Sequence, residues 1–582
     1  MRLIIFLCGS LGLMAVSRLV RPPVYSAGVQ GAVDYFKSES VSFAGSCSRL
    51  RKAAEGHSLK EERQALVECR YHYKHIESFL EYFFRSSSTI YNRAPKFEAE
   101  EGGMEYQSPI GMQLIESMLF ESRVDQKALL EQVNAVESAA ADLPALLYGL
   151  RADDRQLLES LRVELIRIMA LDITGYEAPL LKSGIRESYA AMEAFSYQLQ
   201  PYLIRGDDRS DSVRFFLDRT MARLNSDDFD GFDRMSFLRE SILPLQRQLG
   251  LLIRERKLEL NTSKTLNYSA DDLFSADALS PEKFPGATAW SGRAQGGGAP
   301  KDAAALVRLG KQLFSDKRLS GNGQKSCASC HDPEKAFTDR LPLSIGLDGH
   351  TVLDRNAPTL LYSAYEFNQF WDGRAKSLED QIRTVLLDKR EMRADTVKEE
   401  DITAIAAYVR SLHPMNSSFD HYMRGESGKL SAAAIKGANL FLGKAQCGTC
   451  HFMPLFNGLI PPDYALTEFE VLGTTATDRF TTGLRLSKDE GRYKQYPLPF
   501  FKGAFKTPTV RNAALTAPYM HNGAFSSLET VMEFYNKGGG AGLGLSVPDQ
   551  TLSSMPLHLS VDEITDIILF IHTLTDTLNP AP

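Results

Sequence analysis

"KSCASCHDPEKAF" at 325–337 sets two cysteines three apart with a histidine directly after the second, and "AQCGTCHFMPLF" at 445–456 repeats the arrangement. Two thiols so spaced on one turn can form thioethers to both vinyl groups of a single haem while the next residue ligates its iron. A zinc ribbon also pairs Cys-x-x-Cys motifs, but it spaces them ~15–20 residues apart and needs no histidine after each. Here Cys327 and Cys447 open their motifs 120 residues apart. A thioredoxin-like redox pair would sit in a βαβ setting, and no such pattern surrounds either motif. The spacing therefore predicts two covalent c-type haems, one on Cys327, Cys330 and His331, the other on Cys447, Cys450 and His451.

Working outward, each motif belongs to a longer repeat. "LGKQLFSDKRLSGNGQKSCASCH" (309–331) is followed by "RNAPTLL" (355–361), and "KGANLFLGKAQCGTCH" (436–451) by "RNAALTAPYMHNG" (511–523). The order predicts two small, similar domains, 271–428 and 429–582, each a few helices around one site. Upstream, "SADALSPEKFPGATAWSGRAQGGGAPKD" (275–302) has the Gly, Pro, Ser and Ala content of a linker or a wrapping loop. Before it, 28–270 reads as an antiparallel helical bundle. In "DDRQLLESLRVELIRIM" (153–169), Leu158, Leu161, Leu165 and Ile168 fall at helical spacing behind Asp153 and Asp154, which can cap. "SLKEERQALVECRYHYKHIESFLEYFF" (58–84) opens with Ser58 and Glu61 at capping-box spacing.

The chain has 582 residues, 43% of them hydrophobic, enough to bury large cores. With 66 basic against 73 acidic residues the net charge is −7, and no long basic run could track a phosphate backbone, which argues against nucleic acid as a partner. "MRLIIFLCGSLGLMAVSRLV" places Arg2 before an apolar run and Ala15 and Ser17 at a cleavage-like site. Residues 1–26 thus read as an export signal or an uncleaved anchor, and the compartment as the periplasm. Cys8 belongs to that apolar run. Of the other cysteines, Cys47 and Cys69 lie in the helical region, where a disulfide between neighbouring helices and two buried free thiols both fit.

From about 272 onward the motifs "CASCHDPEKAFTD", "RNAPTL", "FWDGRAKSLEDQ", "CGTCHFMPLFNG" and "KTPTVRNAALTAPYMHNG" appear in order, and together they resemble the bacterial di-haem cytochrome c peroxidase family, which includes MauG-like enzymes. The resemblance implies a mainly α fold in which two cytochrome-c-like domains, each holding one covalent haem, pack face to face with a calcium ion between them. It implies His331 and His451 as proximal ligands and Trp371 as an electron bridge. It places Gln381 and Glu391 on the distal side of the first haem, where Glu391 is the acid/base candidate. It assigns Asn356, Thr516 and Pro518 to calcium, for which hard oxygen donors are suited, and it puts His521 near the second haem.

Two departures separate this chain from the peroxidase pattern. Where classical members carry a ligating histidine after "SIG", "SIGLDGH" (344–350) has Leu347, with His350 three residues late, and MauG-like members lack the histidine in that loop too. A leucine cannot ligate iron, so the first haem is expected to keep an open position. Where members carry a distal methionine at the second haem, the matching residue is Tyr535, as in MauG-like proteins, with Met532 as a rival one turn back. A phenolate is a harder, anionic donor that favours the ferric state.

The expected activity is reduction of hydrogen peroxide with electrons from a small donor protein, a cytochrome c or a cupredoxin, and a homodimer is compatible with it. The alternatives are a MauG-like oxidase acting on a protein or organic substrate, and a non-catalytic di-haem carrier. The front half resembles imelysin-like domains in "YHYKHIESFLEYFF" (71–84) and "SPIGMQLIESMLF" (108–120), but Lys74 and Gln113 replace the motif histidine before Glu77 and Glu116. His72 and His75 read as a half-exposed helix face.

Overall fold

The computed structural model describes residues 25–99, 106–284, 303–426, 428–481 and 483–578. The export signal expected over 1–26, apart from its last two residues, lies outside the described residues, as do Cys8 and linker residues 285–302. Among the described residues no helix is long and apolar enough to cross a membrane.

The chain is mainly helical, as the motifs imply. The first half contains α1 (Ala27–Gly56), α2 (Leu59–Phe83), a short hairpin of β1 (Glu98–Ala99) and β2 (Tyr106–Gln107), then α3 (Met112–Leu119), α4 (Gln126–Ala141), α5 (Asp154–Arg167), α6 (Gly184–Leu199), α7 (Asp208–Leu224) and α8 (Leu243–Glu255). Helices α1 and α2 fold back on each other through heptad-spaced aromatic and aliphatic residues. Phe36 meets Phe79 with ring centroids 4.9 Å apart, and Phe43 meets Tyr73 at 5.6 Å. Cys47 and Cys69, one from each helix, are buried free thiols with their Sγ atoms 3.4 Å apart.

Asp153 caps α5 as expected: it accepts from the Gln156 amide at 2.9 Å, and Gln156 accepts from the Asp153 amide at 3.2 Å. Ser58 also stands at an N-cap, yet its hydroxyl makes no capping bond. Helix α5 continues into a single π-helical turn, Ile168–Asp172. Such wide turns re-aim side chains, and this one delivers Asp172 to the buried Lys74.

The second half holds α9 (Ala303–Phe314), α10 (Leu378–Leu387) and α11 (Glu399–Arg410), then α12 (Ala432–Leu442), a hairpin of β3 (Phe469–Val471) and β4 (Ala504–Lys506), α13 (Leu528–Asn536) and α14 (Val561–Thr573). The repeat is visible in its helix crossings. A Cβ on Gly310 of α9 would fall 1.9 Å from the Ala404 carbonyl of α11, and one on Gly437 of α12 would fall 1.9 Å from the Asp566 carbonyl of α14. In each unit two helices, α9 with α11 and α12 with α14, touch backbone to backbone, which only glycine permits.

The register of the repeat differs from the one its shared Arg-Asn letters suggest. Pro358-Thr359 corresponds to Pro508-Thr509, because Thr359 Oγ1 donates to the Ala336 carbonyl at 2.7 Å and Thr509 Oγ1 to the Leu455 carbonyl at 2.7 Å. Ser377 and Ser527 then cap α10 and α13 alike. The offset grows from 120 residues at the cysteines (327 to 447) to 150 at these prolines (358 to 508). The additional residues build the β3–β4 segment.

One buried apolar cluster spans Val29 to Leu157, and a second runs unbroken from Leu158 to Leu574. The later helices of the front half therefore share a core with the repeat units. Gly437→Ala is expected to push α12 from α14 and cost about 1–3 kcal/mol, the usual range for overpacking, measured as a lowered midpoint in urea unfolding.

Candidate functional site

Each Cys-x-x-Cys-His stretch folds as a 3₁₀ turn, Cys327–Ser329 and Cys447–Thr449. The histidine amide closes the turn on the first cysteine carbonyl, at 2.9 Å for His331 and 3.0 Å for His451. Both rings are tied at one nitrogen. His331 Nδ1–H donates to the Phe337 carbonyl at 3.1 Å, and His451 Nδ1–H donates to the Pro508 carbonyl at 3.0 Å, with Phe456 O at 3.3 Å. This assigns the tautomer and leaves Nε2 as the free lone pair. Burial lowers both imidazoles, His451 to about 4, so both are neutral.

Burial also pushes the thiols of Cys327 and Cys447 up to about 12. They are protonated, unlike thiolates poised for zinc. Among the described residues, the one group of potential ligands close enough to share a metal ion is Glu77, Asp172 and Glu177, not the cysteines. That group already surrounds a cation: Lys74 Nζ donates to Glu77 at 2.7 Å, Asp172 at 2.9 Å and Glu177 at 2.6 Å. Burial pulls Lys74 down, but the three carboxylates outweigh it and hold the ammonium charged. An ammonium thus stands where the imelysin-like pattern would have a histidine. His72 and His75 are half-buried, and His75 Nδ1 bonds the Tyr35 hydroxyl at 3.0 Å.

A single cavity of about 1630 Å³ extends past Cys330 and His331 to Cys447, Cys450 and His451. Typical small-molecule sites measure ~300–1,000 Å³, so this space is of the size that two large planar groups require. The residues present fit a pair of c-type haems: a neutral imidazole and two protonated thiols at each end of one cavity.

The two ends differ. With the 150-residue offset, α10 and α13 are equivalent helices over their respective sites. Leu378, Gln381 and Val385 of α10 line the cavity, and Leu528, Val531, Met532 and Tyr535 line it from α13. The position of Tyr535 is thus Val385 at the first site. A phenol faces one end and an aliphatic side chain the other. Burial, with the neighbouring Cys450, raises the Tyr535 hydroxyl well above its ordinary value.

Glu391 lines the first end, in the turn after α10. Burial, and then the Asp388 charge, raises its carboxyl above the usual range. The Leu347 amide donates to the Arg390 carbonyl at 2.7 Å, so the "SIG" loop lies against the Glu391 turn, with Leu347 buried and His350 exposed.

Trp371 lies on the cavity wall. Its indole N–H donates to the Asn356 carbonyl at 2.9 Å, and its own carbonyl accepts from the Lys506 amide of β4 at 2.8 Å. It therefore joins the two units. Asn356, Thr516 and Pro518 also line the cavity. Asn356 Nδ2–H donates to the Leu341 carbonyl at 2.8 Å, leaving the amide oxygen as its remaining donor atom. His521, the repeat counterpart of Trp371, stacks on Phe505 at 3.7 Å and bonds Ser487 Oγ at 3.0 Å. Burial lowers it to about 3.

The sequence reading missed the share of the front half. Lys96, Phe97, Gln113, Glu116, Tyr176 and Pro179 all line the cavity. Tyr176 packs edge-on against Phe452 at 5.3 Å, Gln446 Nε2 donates to the Pro179 carbonyl at 2.8 Å, and Glu116 accepts from the Leu180 and Leu181 amides. Burial raises Glu116 to about 7. The signal that could have found this wall is the pair Gln113 and Glu116, which drew attention only for a different resemblance.

The sequence model of a family described as di-haem cytochrome c peroxidase matches residues 304–402. The chain is 35% identical over 309 residues to cytochrome-c peroxidase IdrP2 of Pseudomonas sp. (strain SCT), covering 47% of this chain and 81% of that protein. It is 33% identical over 303 residues to methylamine utilization protein MauG of Methylorubrum extorquens, covering 46% of this chain and 77% of that protein. A solved structure of a MauG-like protein associated with microbial copper homeostasis shares 30% identity over 47% of this chain and 89% of its own, with a TM-score of 0.40.

The two ends of the cavity are held together by Arg355, which bonds Asp372 at 2.6 Å and Asp489 at 2.6 Å. Burial pushes the Asp489 carboxyl up, but Arg355 outweighs it and holds the group well below the usual range. Its stabilising effect is complete above the unfolded carboxylate value of about 4 and is lost as pH falls toward the depressed folded value. Arg355→Met is expected to cost about 3 kcal/mol, at the low end for a broken buried pair, because Lys494 and Arg374 still contact the aspartates. The deficit in thermal midpoint against the parent should hold from pH ~7 to ~4 and shrink on further acidification below ~4, as the carboxylates protonate.

Proposed function

The chain belongs to the family of di-haem cytochrome c peroxidases and MauG proteins, oxidoreductases with two c-type haems, and we propose that it reduces hydrogen peroxide to water at the first site with electrons received at the second from a small cytochrome or cupredoxin. The observation that carries this reading is the exchange of Tyr535 for Val385 between equivalent helices, with Leu347 beside the first site. No side chain of α10 at that position can ligate iron, whereas α13 offers a phenol oxygen. The asymmetry supports a vacant face at one end and a closed one at the other.

When bound through Cys327 and Cys330, the first haem supplies the iron at which the O–O bond is split. The protein's own groups manage the protons. Peroxide takes up two electrons and two protons to give two waters, and its cleavage needs a proton moved from one oxygen to the other. The Glu391 carboxylate accepts that proton and returns it, and burial, which raises its affinity for protons, suits it to that exchange. Gln381, ahead of it on α10, orients the substrate with its side-chain amide. Trp371, anchored at both its indole and its carbonyl, offers a fixed ring between the units. We assign Asn356, Thr516 and Pro518 to a calcium ion that stiffens this junction, and the protein to the periplasm, where c-type haem attachment belongs.

Tyr535 also favours a second reading, a MauG-like oxidase that acts on a protein or organic substrate, since an anionic oxygen donor stabilises oxidised states. Steady-state turnover of peroxide with reduced cytochrome c, set against a panel of protein substrates, separates the two.

Electron paramagnetic resonance of the ferric protein tests the asymmetry. One high-spin and one low-spin signal are expected, and Tyr535→Met should alter the low-spin signal alone; two low-spin signals in the parent would overturn the proposal. Glu391→Gln should lower kcat/KM for peroxide by about 10²–10⁴-fold in stopped-flow measurements and abolish the acid limb of the pH profile. That limb in the parent lies above the ordinary carboxylate range.

A further inference from the structure

Beside the second attachment site the chain gathers an unusual set of charges. Glu470 of β3 has its Oε1 3.8 Å from Cys450 Sγ. Glu468, two residues earlier, is held by backbone bonds on both sides: its amide donates to the Gly458 carbonyl at 2.7 Å, and its carbonyl accepts from the Thr507 amide at 3.2 Å, one residue before the proline that receives the His451 N–H. Both carboxylates are buried, with side-chain exposures of 4% and 10%. Left alone, two anions in so dry a place beside a redox group would be costly and would favour its oxidised form.

The compensating cation comes from more than 350 residues upstream, from the loop before β1. Lys96 Nζ forms an ion pair with Glu468 Oε2 and lies 3.5 Å from Glu470 Oε1. Tyr176, also from the front half, donates its hydroxyl to Glu468 Oε1 at 3.3 Å. The front half thus delivers a positive charge and a hydrogen-bond donor to the wall of the second site.

We propose that Lys96 is a positioning residue that sets the reduction potential of the second haem by neutralising Glu468 and Glu470, which makes the helical front half a working part of the redox site. The inference rests on the reading of Cys447–His451 as a haem site. A positive charge near the porphyrin opposes the additional charge of the ferric state and raises the potential. Removing it leaves two anions that lower the potential, and removing one anion instead raises it.

Spectroelectrochemical titration of the full-length holoprotein resolves the two haems. Lys96→Met is expected to lower the ferrous-to-ferric ratio of the second haem about tenfold at a fixed potential, equivalent to about 59 mV for a one-electron couple. Lys96→Arg should restore it, Glu470→Gln should shift it the opposite way, and the first haem should stay within a few-fold of the parent throughout. Should Lys96→Met fail to fold, Glu470→Gln carries the test with the opposite sign. A second haem whose potential is the same in Glu470→Gln and in every folded Lys96 variant would overturn the inference. Mass spectrometry that finds no porphyrin on Cys447 and Cys450 would instead overturn the underlying reading of the site.

Discussion

A histidine can serve as a fixed ligand only if its other nitrogen is held, and in this protein both holds are backbone carbonyls. His331 gives its Nδ1 proton to Phe337, six residues on, within its own loop. His451 gives its proton to Pro508, 57 residues away, on the segment that leaves β4. The first ring also faces the carbonyl of Pro358, the counterpart of Pro508, and the second also has Phe456 O within its own loop, so both sites combine a local hold with one from farther along the chain. The second site differs in what gathers around that distant segment. Its hairpin, its glutamates and the wall from the front half all converge on the segment that holds that ring.

The repeat shows how one scaffold carries two differently lined sites. The glycine crossings, the threonine caps and the serine N-caps are the same in both units, so the helices over the two sites approach in the same way. Only the side chains differ: Gln381 and Val385 in one, Val531 and Tyr535 in the other. The lining diverges where the frame does not, as expected when sites are grafted onto a common fold.

The two attachment motifs were legible because covalent haem binding needs residues close in sequence. The helices of the front half were legible too, since their apolar stripes recur at helical spacing, and Asp153 capped as its position predicted. Ser58 stands at the N-cap as its position predicted, but makes no capping bond. The repeat register was hidden by a chance recurrence of Arg-Asn, and the β3–β4 insertion shifted the true partners. Lys96 left no local trace at all. Its partners lie in another part of the chain, and a lone lysine before a short strand reads as a solvated charge.

The wall that the front half builds over Gln446 and Cys450 bears on biogenesis. Thioether formation requires that the cysteines be reachable by a porphyrin and by whatever catalyses its attachment. The front half is made first by the ribosome, and it could close over the later segment as soon as that segment appears. The wall thus bears on the order of maturation: a porphyrin that arrives while the halves are apart meets no barrier at Gln446 and Cys450.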